Sequence, residues 1–582
     1  RQTPDKEPFF AGTYFPKQGR GQRAGMLQIV PSLANAWSLK QTEIRGSINK
    51  IKDYLVQINT SVPGDEWDEA MIKEAFTQYA SRFDPDYGGF GKAPKFPSPH
   101  NLILLLRYSK LYDDPTALKM VETTLHYMRL GGVFDHIGLG FHRYSTDKRW
   151  LLPHFEKMLY DQAMISMAYL EAYQLTGNEK YAQVAREIFT YVLRDMTHKE
   201  GGFYSAEDAD SEGEEGIFYI WSKEEFIEIL GPEDGSRIAK IFGFSDNGNF
   251  HDEATGQSTG MNIPHLPRSK DELAKKSGMS LDEFDGFVEM SRQQLFDVRE
   301  KRIHPLKDDK ILTDWNGLMI AALSLGGQVL NEPDYITAAE RAAKFVEKNL
   351  RDKKGCLMKR YRLGKAGLSP HLDDYSFMVW GLLNLYEATF DTKYLARAIE
   401  LTDIMNKDFS DENGGFFIGS KDAEKLMVRA KDSYDGAIPS GNSVAVMNLF
   451  RLSKITGSTQ WVDLADKALK AFTNQAKSSP TGFAHMLTGF MFDLKDPKEL
   501  VIVADGKTAG TQELIQKIRG NYSPNKVVLF KDISDPDPLV EIASWTKAHS
   551  MMDGKPTFYV CENFACKRPT TNIKTVLNYL NE

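Results

Sequence analysis

Four segments of this chain share one spelling. DPDYGGFG at Asp84–Gly91, GGVFD at Gly131–Asp135, KEGGFYS at Lys199–Ser205 and DENGGFF at Asp411–Phe417 each place an aromatic residue just behind a glycine pair. Lys354–Gly355 before Cys356 is a degenerate copy. Glycine pairs permit tight turns, and the aromatic that follows starts a short extended piece. Between these loops, amphipathic helical patterns run from Trp67 to about Asp493. A recurring helix–loop–helix unit cannot bury its apolar face alone, so successive units must stack. An open solenoid and a closed ring both satisfy that demand. Polar residues gather in the long loops and not along every repeat, which favours the ring. The predicted fold class is therefore mainly α, an (α/α)6 toroid of six helical hairpins.

The flanks read differently. Thr3–Pro16 is expected to form a turn and then a strand, and Gly25–Gln57 has helical period through Leu27, Val30, Leu33, Trp37, Ile44, Ile48, Ile51 and Leu55. Thr60–Asp65 reads as a linker. Past Leu500 the composition shifts to strand–helix–strand: ELVIVADG, a helix over Thr508–Gly520, then KVVLF, with TFYVC and a closing helix over Thr571–Leu580. Three regions are thus expected, residues 1–60, 61–495 and 496–582.

A net charge of -8 repels phosphate, so nucleic acid is not an expected partner. No apolar run reaches the ~18 residues of a membrane span. Only Cys356, Cys561 and Cys566 occur, which predicts no disulfide framework, a reducing compartment and free thiols; a reversible Cys561–Cys566 bond is the sharper alternative. A cytoplasmic location follows as the expectation. The sequence opens at Arg1 without a methionine, which leaves the question of a leader open.

Reactive side chains are densest in Gly131–Ala163, which holds Asp135, His136, His142, Tyr144, Trp150, His154, Glu156 and Asp161. Its first half reads as a loop with a hairpin around FHRYSTDKRW. The second half reads as a helix opening at Pro153, with Glu156 in the first turn and His154 and Asp161 on one face. A second cluster, Glu207, Asp208, Asp210, Glu212, Glu214 and Glu215, follows the third glycine pair; its first three members are the ones expected to face a pocket. Loop carboxylates there can act as acid and base or hold a hard cation. Asp314-Trp315-Asn316 sets an apolar ring beside an amide, a combination suited to sugars. His371, Asp373, Asp374 and Tyr375 open the next helix, and Asp435, Ser440, Asn442 and Ser443 repeat the arrangement. Lys95 and Phe96 in GKAPKFPSPH complete a ring of loop–helix junctions. There is no HExxH and the histidines lack ligand spacing, so neither metal nor cofactor is expected, and a lone C-x4-C pair makes zinc improbable.

Five longer stretches stand in one order: HFEKMLYDQA (His154–Ala163), FYSAEDADSEGEEGIFY (Phe203–Tyr219), KILTDWNGLM (Lys310–Met319), DGAIPSGNS (Asp435–Ser443) and CENFACKRPTT (Cys561–Thr571). Together they resemble the thioredoxin-domain-containing proteins of the spermatogenesis-associated protein 20 type and their bacterial homologues. The resemblance implies a thioredoxin-like N-terminal domain and a six-hairpin toroid like that of N-acylglucosamine 2-epimerases and several glycoside hydrolases. TPDKEPFFAGTYFP then looks like the last strand of the thioredoxin-like domain, whose redox-motif half is not in this sequence. A small sugar or metabolite is the implied ligand, and a protein partner could use the thioredoxin-like region.

Two classes of function follow. In the first the toroid is a sugar-active enzyme. His136 and His154, or His371, would move a proton beside a carbonyl, or Asp208 or Glu156 would pair with Asp314 or Asp374 in hydrolysis. Lys95, Phe96, Asp135, Tyr144, Trp150, Asp161, Glu207, Asp210, Trp315, Asn316, Asp373, Tyr375, Asp435 and Asn442 would hold the substrate. Proton transfer is favoured, because histidines occur in the most compact motif. In the second class the toroid binds without catalysis, its use set by the redox-linked region.

Overall fold

The computed structural model describes residues 2–582 apart from 14, 22, 61, 252–257, 425 and 507. Twelve helices carry the repeat: α1 (Glu69–Arg82), α2 (Pro99–Tyr112), α3 (Pro115–Leu130), α4 (Leu159–Thr176), α5 (Glu179–Asp195), α6 (Thr313–Leu330), α7 (Pro333–Asn349), α8 (Leu372–Thr389), α9 (Thr392–Phe409), α10 (Gly441–Thr456), α11 (Thr459–Ser478) and α12 (Ala484–Leu494). The even-numbered helices pack each on the next, and α12 packs back on α2, so the inner ring closes. The odd-numbered helices lie outside. The closure is sewn chemically: the Tyr79 hydroxyl on α1 donates to Asn101 Oδ1 on α2 and to the Thr481 carbonyl just before α12, and Trp67 Nε1 donates to Leu469 O on α11. An open solenoid would have no such contacts, and the (α/α)6 toroid stands.

The inner helices are buried nearly all round, as helices apolar on every face must be. Between α6 and α8 the backbones themselves touch. A Cβ on Gly317 would stand 2.5 Å from the Phe377 carbonyl carbon, and one on Gly381 2.7 Å from Gly317 O. Four of the glycine loops close with a β-bridge from the end of an outer helix, Phe83–Phe90, Thr197–Phe203, Ser410–Phe416 and, at the degenerate copy, Arg351–Leu357, whereas after α3 the bridge Phe134–Phe141 lies beyond the Gly131–Gly132 pair and encloses Gly138 and Gly140 instead.

Helix α4 starts at Leu159 and not at Pro153. Pro153–His154 pairs with Tyr144–Ser145 as a hairpin, and Lys157–Met158 joins Ala206–Glu207 and Lys307–Asp308 in a small sheet. The backbone of 153–158 is committed to those ladders, so His154 and Glu156 lie on the rim and not on one helix face with Asp161. The described part of the segment between α5 and α6 adds three short helices and one of 19 residues, Leu281–Arg299, with their own apolar cluster around Trp221, Phe226 and Phe284.

Met26–Leu39 and Gln41–Asn59 are helices, with Ile44 and Ile48 buried. The strand expected within Thr3–Pro16 does not form among the described residues, and Tyr14 lies outside them. The backbone there bridges only at Gln2–Pro8, and a strand without a neighbour has no ladder to make. At the other end, β1 (Lys498–Ala504) runs parallel to β2 (Lys526–Asp532) and antiparallel to β3 (Thr557–Glu562), which turns into β4 (Ala565–Cys566). Helices Ala509–Arg519 and Ile573–Asn581 complete this unit. Cys561 and Cys566 face each other across the β3–β4 turn and form a disulfide, which corrects the expectation of free thiols. No helix among the described residues is long and apolar enough to cross a membrane.

Candidate active site

The loop–helix junctions hold two kinds of polar residue, and their partners tell them apart. The first kind clasps the glycine loops. Asn316 Nδ2 donates to Phe203 O at 3.0 Å while its Oδ1 accepts from Phe203 N at 2.8 Å. Asn442 does the same for Phe416, and Gln162 for Phe141. In each case the same amide reaches a third backbone carbonyl, Leu312, Asp432 or Met158. The Tyr375 hydroxyl accepts from Leu357 N at the degenerate loop. Asn316, Asn442 and Tyr375 therefore satisfy backbone that would otherwise be orphaned.

Four more expected site residues belong to the core. Lys95 gives its ammonium to Asp84 at 2.6 Å and to Gly88 O at 2.7 Å. Trp150 is fully buried and donates its indole N–H to Tyr87 O. Asp135 sits between Lys157 at 2.8 Å and Arg299 at 2.9 Å; burial opposes its ionisation, but those two cations hold its carboxyl well below the usual range. His136 uses both ring nitrogens, one toward Gly131 O and one toward Arg129, and burial next to that guanidinium keeps it neutral. Of the second acidic cluster, Asp208 and Asp210 are exposed, and Glu207 is buried against the Tyr191 hydroxyl and Lys307. Lys95, Trp150, Asp135, His136 and Glu207 are thus each buried against partners of their own, whereas Asp208 and Asp210 face outward.

The second kind forms two groups on the rim. In the first, His154 Nδ1 stands 2.6 Å from Glu215 and Nε2 3.6 Å from Glu156, while Arg143 donates to Glu156 at 2.9 Å. Hydrogen bonding to Glu156 and Glu215 raises the His154 pKa to about 9. The same contact lowers both carboxyls. Phe96, Tyr144 and His154 stack in series at 4.7 and 5.1 Å. Behind them Asp161, in the first turn of α4, is buried with Oδ2 lacking a partner among the described residues; burial raises its pKa well above the ordinary value. Its neighbour Tyr160 meets Trp315 edge-on at 4.8 Å, which joins this group to the next.

The second group centres on Lys359, which reaches Asp314 at 2.5 Å and Asp374 at 3.3 Å. Burial works against the ammonium, yet the two carboxylates outweigh it and raise its pKa. Asp374 is fully buried, accepts from Asp314 N and His371 N, and is pushed upward by burial. Asp373 beside it is half-buried, and burial with the Asp314 charge raises its carboxyl to about 7. His371 is exposed, and burial of its ring with the Lys359 charge lowers its pKa. Asp435, the next junction along, is buried, accepts from Ser440 N and His485 N, and rises to about 6 through burial.

Three groups with a place here were not singled out in the sequence. Glu215 stood in an acidic run that reads as solvated surface, and Lys359 lies in a rim loop 45 residues from Asp314. Neither spacing nor period brings them to the rim. Buried His485 has both ring nitrogens unpartnered among the described residues, under Trp380 at 4.9 Å. It borders a part-open cavity of about 150 Å3 that lies away from the rim, between the C-terminal halves of the inner helices and the C-terminal sheet, which is smaller than the about 300–1,000 Å3 common for small-molecule sites.

Comparison with known proteins gives the following. The model of a DsbH-type thioredoxin family, described as a protein of unknown function, DUF255, matches residues 2–56, and that of glycosyl hydrolase family 47 matches residues 378–498. Spermatogenesis-associated protein 20 of Homo sapiens is 34% identical over 608 residues, covering 98% of this chain and 77% of the human protein. An uncharacterised Caenorhabditis elegans protein is 32% identical over 619 residues, covering 100% and 83%. Among solved structures, a family 76 α-mannanase of Bacteroides thetaiotaomicron gives a TM-score of 0.45 at 13% identity, covering 73% of this chain and 97% of that one. A cellobiose 2-epimerase of Bacillus thermoamylovorans gives 0.28 at 15%, covering 64% and 94%.

Proposed function

The chain belongs to the spermatogenesis-associated protein 20 family, and from the rim geometry we propose that it is a carbohydrate-active protein whose chemistry is acid–base work by carboxylates. The observation that carries this reading is Asp373. Its carboxyl is half-buried at the mouth of α8 and rises to about 7, beside Asp314, which is charge-paired with Lys359. Environments that set neighbouring carboxyls apart are the mark of an acid and its counter-carboxylate. Asp373 would give its proton to the glycosidic oxygen as the bond to the leaving group breaks, and Asp314 would stabilise the positive charge that develops at the anomeric carbon; water would then add to that carbon and return a proton to Asp373. Trp315, part-buried against Tyr160, offers a ring for the apolar face of a sugar.

The histidine alternative has one observation in its favour. His371, exposed beside Asp373, is neutral at pH 7 and so could accept a proton next to a carbonyl. His154 is less suited, because a ring held charged to about pH 9 has no lone pair to abstract with. One experiment separates the readings. The chain is incubated in D2O with a panel of glycosides and of reducing sugars, and followed by proton NMR. Release of a free reducing end that is lost in Asp373→Asn supports hydrolysis. Deuterium entering at the carbon beside the carbonyl and lost in His371→Ala would overturn it in favour of proton transfer. Cleavage that persists unchanged in Asp373→Asn would remove Asp373 from the role.

A further inference from the structure

The C-terminal unit holds a cluster that no part of the rim chemistry uses. Cys561 and Cys566 are joined across the β3–β4 turn, and His549 Nε2 stands 3.6 Å from Cys566 Sγ. The ligating atoms of all three lie within 4.8 Å of one another. His549 comes from the loop that precedes β3, 17 residues before Cys566, and that loop is anchored by several hydrogen bonds. Lys531 donates to the carbonyls of Thr546, Lys547 and His549 at 3.0, 2.9 and 2.8 Å. Tyr559 closes the next turn by bonding both the N–H and the carbonyl of Ser550. The imidazole packs on the Tyr559 ring at 4.2 Å and meets Trp545 edge-on at 5.6 Å. Side chains held in this way are pre-organised, and a pre-organised histidine pointing at sulfur is the arrangement a metal site requires.

We propose that Cys561, Cys566 and His549 form a redox-gated site for a thiophilic cation of the zinc class, closed while the disulfide stands and open once it is reduced. The spacing fits. Around one tetrahedral zinc, with Zn–S about 2.3 Å and Zn–N about 2.0–2.1 Å, a sulfur and a nitrogen ligand stand roughly 3.6 Å apart, which is the His549–Cys566 distance. A dithiol reductant opens the site by exchange. Its thiolate attacks one sulfur, its second thiol displaces that mixed disulfide, and the bond takes up two electrons and two protons while the reductant becomes a disulfide. Zinc binding then expels the two thiol protons to solvent, and the imidazole contributes a lone pair with no change in its own protons. Burial and the Lys531 charge lower the His549 pKa, which leaves that lone pair available at neutral pH. Cys566 is exposed, so water can fill the fourth position.

The test uses the full chain in two forms, as oxidised protein and after phosphine reduction with the reductant removed under anaerobic conditions. Cadmium uptake is read from the ultraviolet thiolate-to-metal charge-transfer band, and zinc uptake by competition with a chromophoric chelator. The reduced chain is expected to take one equivalent of either metal and the oxidised chain none. Cys566→Ser, on an exposed edge, abolishes the band. His549→Ala weakens zinc competition but leaves the count of reducible thiols unchanged, and Cys356→Ser changes nothing. Equal uptake by both forms, no uptake by the reduced form, or uptake indifferent to Cys566→Ser overturns the proposal.

Discussion

His154 should titrate about 2.5 pH units above an ordinary imidazole, and the consequence reaches both stability and mechanism. Its pKa is raised from 6.5 to about 9, first by the hydrogen bond to Glu156, then by that to Glu215, with burial opposing both. A folded-state pKa above the unfolded value means that the folded protein binds the proton more tightly. The stabilisation is therefore complete below pH 6.5 and is lost as pH rises from there through about 9. At about 1.36 kcal/mol per unit the gap converts to about 3.4 kcal/mol. The His154 side chain is 26% exposed and that of Glu215 36%, so solvent screening reduces the figure to about 1–2 kcal/mol. Ring-13C histidine labelling, with 12 histidines in the chain, reads the titration directly. Glu215→Gln removes one of the two carboxylates and should lower the His154 pKa by roughly one unit. Urea unfolding at pH 6 and pH 9.5 should then lose about 1 kcal/mol less in the variant than in the parent chain. A His154 that titrates below pH 7, or one that ignores Glu215→Gln, refutes the reasoning and reopens His154 as a base.

Three further outcomes follow from the geometry. Lys157→Met leaves the buried Asp135 paired with Arg299 alone and the Leu139 carbonyl without its donor, and should cost about 1–3 kcal/mol in urea unfolding. Asn316→Leu keeps the volume but orphans the Phe203 N–H and carbonyl, and should cost about 2–4 kcal/mol, read as a lower Tm with no loss of helical circular dichroism. Gly441→Ala sets a Cβ 2.3 Å from Asp373 Oδ1, so the carboxylate must move. Displaced toward solvent it loses its burial, and the high-pH limb of any activity carried by Asp373 should shift from about pH 7 toward lower pH.

Much of the fold was legible because it is written in local signals. The glycine-pair loops mark where outer helices hand over to inner ones, and all but Gly131–Gly132 lie inside the β-bridge that a turn followed by an extended residue requires. The C-terminal strand–helix–strand unit was legible for the same reason. The start of α4 was not. Pro153 and Glu156 carry the chemistry of a helix N-terminus, but a hairpin with Tyr144–Ser145 claims residues 153–154 and a distant pairing with Ala206–Glu207 claims 157–158, and no short window of sequence contains that second partner.

The site was legible only as a neighbourhood, and the reason is physical. A loop–helix junction in a toroid must satisfy the backbone of the loop and the free N–H groups of the helix before it can offer anything to a ligand. The residues that do this are the ones that also bind sugars: Asn, Asp, Tyr and Lys. Sequence shows the residue type at the junction but not which of its hydrogen bonds are already spent. Asn316 and Asp314 are two positions apart on one helix. Asn316 spends its side chain on three backbone groups, whereas Asp314 is paired with a lysine that arrives from a loop 45 residues on. The distinction between clasp and site lies in partners that come from elsewhere in the chain. His154 argues the same point, since its meaning changes from base to fixed cation when Glu215, 61 residues away, closes on it at 2.6 Å.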